Sequence, residues 1–117
     1  MNDSPLEIVL SDVEKALENR LFYLAVAVAL TIPDICSALE SSDRRTSSDK
    51  YKDWFTKWLQ EDFSFLSSDD LYSLRCGVVH QANFGTKHQY ESVVFALSGQ
   101  VLMKKLRFRS YVCLQLG

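Results

Sequence analysis

Apolar positions recur at helical spacing over most of this chain and switch to alternation near its end. Leu6, Val9, Leu10, Val13 and Leu17 form one helical stripe, which Leu21, Leu24 and Val28 continue. Ser4, Pro5 and Glu7 carry the residue types of a helix start: a capping serine, a proline in the first turn and an acid three positions on. These features predict one long helix over 5–31. Its second half is apolar nearly all round, so it is expected to run through the centre of a bundle.

Pro33 lacks an amide hydrogen and crowds the preceding turn, so the helix must break or kink there. The stretch 33–40 reads as a short second helix. Residues 41–49, SSDRRTSSD, have no apolar period and read as an exposed, mobile loop. The next helix starts at or near Asp49 and carries Tyr51, Trp54, Phe55, Trp58 and Leu59 on a common stripe. Such a stripe could stack nucleobases, but core packing is the preferred reading, because aromatic side chains supply much of the burial in a small domain.

Ser67, Ser68, Asp69 and Asp70 mark a further helix start, with two acids complementing the helix dipole. That helix is expected to run through Leu71, Leu74 and Val78 to about Asn83, with Gly85 as the stop. Residues 90–97, YESVVFAL, are rich in β-branched and aromatic types, and Ser98-Gly99 is a turn candidate. Leu106, Phe108, Val112, Leu114 and Leu116 then alternate with Lys105, Arg107, Arg109 and Gln115. A C-terminal β-hairpin or short strand segment follows from that pattern, with a short helix over 100–108 as the alternative. The expected fold is therefore mainly α, a single domain with a helical core over 1–89 and a strand-like basic tail over 90–117.

Composition narrows the class. The chain has 117 residues, 47% hydrophobic and 24% charged, which argues against global disorder and fits one domain. Its formal net charge of −2 excludes a uniformly basic nucleic-acid coat. The charge is unevenly placed, however. Residues 1–74 hold 7 Lys/Arg and 14 Asp/Glu, whereas residues 75–117 hold 6 Lys/Arg and the single acid Glu91. Cys36, Cys76 and Cys113 are sparse and odd in number, so no disulfide framework is expected, and a reduced, cytoplasmic setting is the simplest reading. The acidic N-terminus lacks the basic start of a signal peptide. The uncharged run from Leu21 to Ile32 spans about 18 Å as a helix, short of a bilayer's roughly 30 Å, so no membrane span is expected.

The segment with chemical content is Leu74-Arg75-Cys76-Gly77-Val78-Val79-His80-Gln81. Metal-free RNA cleavage needs a group that moves a proton near neutral pH and a cation that stabilises charge on the phosphorus centre. His80 and Arg75 are those two types. The spacing alone is common by chance. Five residues on a helix turn about 140° and rise about 7.5 Å, so the pair does not share a face. Either the helix distorts near Gly77, or two copies each supply one edge of a cleft on a two-fold axis.

LRCGVVHQ resembles the Arg-x(4–6)-His signature of the HEPN superfamily, and ALTIPDICSALE, YKDWFTKWL and DDLYSLRCGVVHQ stand in an order similar to an uncharacterised bacterial and phage branch of it. The resemblance covers about residues 20–85. It implies a helical bundle, a homodimer, and activity as a metal-independent endoribonuclease or as an inactive, RNA- or nucleotide-binding relative. Toxin–antitoxin systems are among the settings of such domains, which makes an antitoxin protein a candidate partner. Arg75 and His80 then match the catalytic pair. Cys76 departs from the family's usual polar residue after the arginine. The further closing helix that the family implies is also missing from the tail. Either the chain is a piece of a longer one, or a partner supplies that packing.

Several assignments stay open at this level. Arg75 could instead pair structurally with Asp34 or Glu40, and His80 could cap a helix end. Asp34 is a candidate carboxylate orienting Arg75 or His80, or the N-cap of the short second helix. Cys76, His80 and His88 match no zinc pattern, and nothing around Cys76 suggests an oxyanion hole. Lys87, His88, Lys104, Lys105, Arg107 and Arg109 are candidates for an RNA-backbone surface, or for a solvated face. No glycine-rich phosphate loop is present, and neither a cofactor nor a metal is expected.

Overall fold

The computed structural model describes residues 5–98 and Lys104. Between residues 5 and 98 the described elements are six helices: α1 (Pro5–Glu18), α2 (Phe22–Ala29), α3 (Ile32–Leu39), α4 (Ser48–Trp58), α5 (Ser68–Gln81) and α6 (Lys87–Ser98). No strand occurs among the described residues. Consecutive helices pack as α1 on α2, α3 on α4 and α4 on α5, while α2 also meets α5 and α6.

The long first helix is interrupted. At its break Arg20 adopts a left-handed backbone, φ 59°. Its N–H donates to Leu17 O at 3.1 Å, and the Leu21 N–H donates to Ala16 O at 2.8 Å. This pair of bonds satisfies two carbonyls that the end of α1 would leave open. Continuous apolar spacing through Leu17, Leu21 and Leu24 hides this turn in the sequence. The turn lets α2 fold back on α1, so Leu6, Leu10, Val13 and Ala16 share one core with Ala25 and Val26. The helix does not run centrally all round, as its apolar composition suggests. Leu21, Tyr23 and Leu24 are more than half exposed.

Pro33 acts as expected. It sits in the first turn of α3, where its missing amide costs no helical bond. The Thr31 hydroxyl donates to Val28 O at 2.6 Å. At the same kink the buried Tyr51 hydroxyl donates to Leu30 O at 2.7 Å, tying α4 to a carbonyl at the end of α2. The run Phe22–Leu39 is the one stretch among the described residues with the length and composition to cross a membrane, and 39% of it is buried inside the protein.

The 40–47 connection is exposed but cross-linked. Asp43 accepts from the Ser41 hydroxyl and the Arg45 amide, and Lys50 Nζ donates to Ser41, Asp43 and the Arg45 carbonyl. Bonds from Ser41, Arg45 and Lys50 hold the Asp43 carboxyl down at about 2. The expectation of a mobile loop therefore meets a segment fastened at both ends. Ser47 caps α4 by accepting the Lys50 amide, and Tyr51, Trp54, Phe55 and Leu59 enter the core as their spacing predicts.

The clearest correction lies at 90–97. The stretch read as a strand forms most of α6, whose Val93, Ala96 and Leu97 are buried. Local β propensity is a weak preference, and the apolar spacing 90, 93, 94, 97 suits a helix that packs on α2. Residues 90–98 therefore belong to the helical body and not to a separate tail. The rest of the proposed hairpin lies outside the described residues. Lys104, the one described residue beyond Ser98, is helical.

Candidate functional site

Ser67 caps α5 by accepting the Asp70 amide at 3.0 Å, and Leu71 and Leu74 bury the inner face of the helix. One position after Leu74, Arg75 reaches across to α3. Its Nε donates to Asp34 Oδ2 at 2.9 Å. Both side chains are mostly covered, with 22% exposure for Arg75 and 15% for Asp34. The guanidinium carbon also lies 5.8 Å from the centre of the Tyr72 ring, and one terminal nitrogen is 4.0 Å from Cys76 Sγ.

Burial alone would lower the Arg75 pKa, but the hydrogen bond and charge of Asp34 raise it instead, so the cation is permanent. Hydrogen bonding to Cys76 and some burial raise Tyr72. Burial and the nearby Asp34 charge likewise keep the Tyr51 phenol neutral. The cluster is thus a fixed cation paired with the Asp34 side chain, with neutral phenols beside it. Of the positions open to Asp34, the structure places it against Arg75. Thr31, not Asp34, occupies the N-cap position of α3.

His80 lies elsewhere. It is exposed in the last turn of α5, beside the half-exposed Val79. The helix continues without distortion through Gly77, so Arg75 and His80 are separated by the full turn and rise that the spacing implies. Gly77 has another task. A Cβ there would come within 2.8 Å of the Asn83 carbonyl oxygen. The chain reverses tightly at this point: Ala82 takes φ 51°, and the Asn83 amide donates to Gly77 O at 3.0 Å. The helix therefore stops at Gln81, before Gly85, which lies in the following loop with φ 73°.

The remaining candidates are dispersed. Lys87 and His88 are exposed at the start of α6, and Lys87 pairs loosely with Glu91 at 3.7 Å. Lys104 is exposed, while Lys105, Arg107 and Arg109 lie outside the described residues. Cys36 is buried and Cys76 half-buried. Among the described residues no three His, Cys, Asp or Glu side chains gather as a metal site. Tyr72 was not anticipated. Its position three residues before Arg75, on the same helix face, is the signal that points to it. No family model matches this chain, and neither a curated protein nor a solved structure does.

Proposed function

We propose that this chain is a HEPN-like module acting on RNA as a metal-independent endoribonuclease, with Arg75 and His80 as the working pair and a homodimer as the working form. The observation that carries this reading is the Asp34–Arg75 contact, which holds a permanent cation in one orientation on the helix that also presents an exposed imidazole. A pre-oriented cation stabilises charge on phosphorus without reorganising during the reaction. The 140° between the two side chains means that Arg75 of one copy works with His80 of another. His80 takes part in proton transfer, the 2′-hydroxyl attacks the adjacent phosphorus, and the 5′-oxygen leaves, giving a 2′,3′-cyclic phosphate. Lys87, His88 and the basic residues beyond them hold the RNA backbone.

One observation favours a second reading, binding of RNA, a nucleotide or a partner protein without cleavage. The Arg75 charge is already balanced by Asp34. The two readings separate in one assay: total RNA incubated in EDTA with the purified protein, with His80→Ala and with Arg75→Lys. Cleavage that disappears in both variants and leaves cyclic-phosphate ends supports the nuclease. Equal cleavage by all three proteins overturns it. RNA retention without cleavage by all three supports the binding module.

A further inference from the structure

A second surface, formed by α6 and the connection between α4 and α5, carries recognition chemistry independent of Arg75 and His80. Phe95 projects from α6 with 72% of its surface exposed, and Phe65 is 48% exposed. Their rings meet edge to face with centres 6.1 Å apart. The buried Phe63 ring supports Phe65 from the core side, also edge to face. Glu91 and Ser92, one turn before Phe95, complete a notch of about 200 Å³.

Two exposed aromatic side chains with Glu91 lining the same notch are suited to an organic cation. The ring quadrupoles attract the charge, and the carboxylate accepts its hydrogen bonds. The described partner of Glu91 is Lys87, one turn earlier on the same helix. It is 3.7 Å away, and both side chains are mostly exposed. So loose a pair gives way to a better-placed donor. Arginine fits the notch better than lysine, because its planar fork stacks on a ring while donating two bonds to one carboxylate. The same carboxylate repels phosphates, which disfavours a nucleic acid here.

We propose that the Phe65–Glu91–Phe95 notch docks an arginine side chain from a peptide segment of a partner protein. The test is amide NMR on the full chain titrated with an acetylated Gly-Arg-Leu-Arg-Gly amide and with its citrulline analogue. The arginine peptide is expected to give saturable shifts at Phe65, Glu91, Ser92 and Phe95, and the neutral analogue to bind at least tenfold more weakly. Glu91→Gln and Phe95→Ala each weaken binding at least fivefold. Both positions are exposed, and a dispersed spectrum verifies that each variant folds. Absence of saturable shifts, equal binding of the citrulline peptide, or undiminished binding by Glu91→Gln overturns the proposal. So does a short single-stranded RNA that saturates the same amides equally well, since that result assigns the rings to base stacking. Self-association that disappears in Phe95→Ala also overturns it, by assigning the notch to a second copy.

Discussion

The two halves of α5 differ in how the fold holds them, the first packed into the core and the second turned to the surface. The first half is capped by Ser67, buries Leu71 and Leu74, and locks Arg75 to Asp34 across the bundle. The second half carries Val79 and His80 outward and ends in a left-handed turn at Ala82. The short motif from Arg75 to His80 therefore bridges an anchored region and a free one. The lesson is that such a motif has two separable parts. The arginine is held by the fold, whereas the imidazole is presented by it.

Four substitutions test that contrast, and they are expected to fall in order of effect. Leu74→Ala removes a buried side chain from the anchored half and should destabilise the protein by about 2–5 kcal/mol in denaturant unfolding. Asp34→Ala leaves the mostly covered guanidinium without its carboxylate and should cost about 1–3 kcal/mol by the same measurement. A loss as large as that of Leu74→Ala would show that the pair belongs to the core rather than to its edge. Gly77→Ala tests the junction of the two halves. Helix propensity favours alanine by about 1 kcal/mol, but the added Cβ meets the Asn83 carbonyl, so a net loss of about 1 kcal/mol is expected. Altered amide shifts at Ala82 and Asn83 should accompany it. His80→Ala should change stability by no more than about 0.5 kcal/mol, as at other exposed positions. A larger loss would mean that His80 is structural, and would remove the contrast.

A gentler probe lies outside α5. The Asp43 carboxyl titrates near 2 instead of its ordinary value near 3.8. Its depressed pKa contributes stability that is present above the unfolded value and lost as pH falls toward 2. The amides of Ser41 and Arg45 should therefore keep their native shifts through pH 5 and move together only below about pH 4.

Much of this structure is readable from particular residues. Ser67 followed by two acids announces the start of α5, Pro33 announces the kink, and the Tyr51–Trp54–Phe55 stripe announces the core. Asp34 is identifiable as a candidate partner of Arg75, though nothing local chooses between that role and capping. The turn at Arg20 is hidden because its hydrogen bonds are made by the backbone, and arginine is not a residue that favours a left-handed conformation. Helix α6 is missed because Tyr90, Val93 and Val94 favour strands when weighed singly. The sign change of charge at Arg75 is bridged at its boundary, where Arg75 of the basic half pairs with Asp34 of the acidic half.

Local chemistry accounts for where helices begin, where proline bends the chain and which aromatic residues turn inward. These outcomes depend on backbone donors, ring strain and periodicity within a few residues. The return of α2 onto α1, the helical state of 90–97, the choice of Asp34 for Arg75 and the distance between Arg75 and His80 depend on groups far apart in the chain. Each is decided by burial and pairing that exist only after the helices have packed.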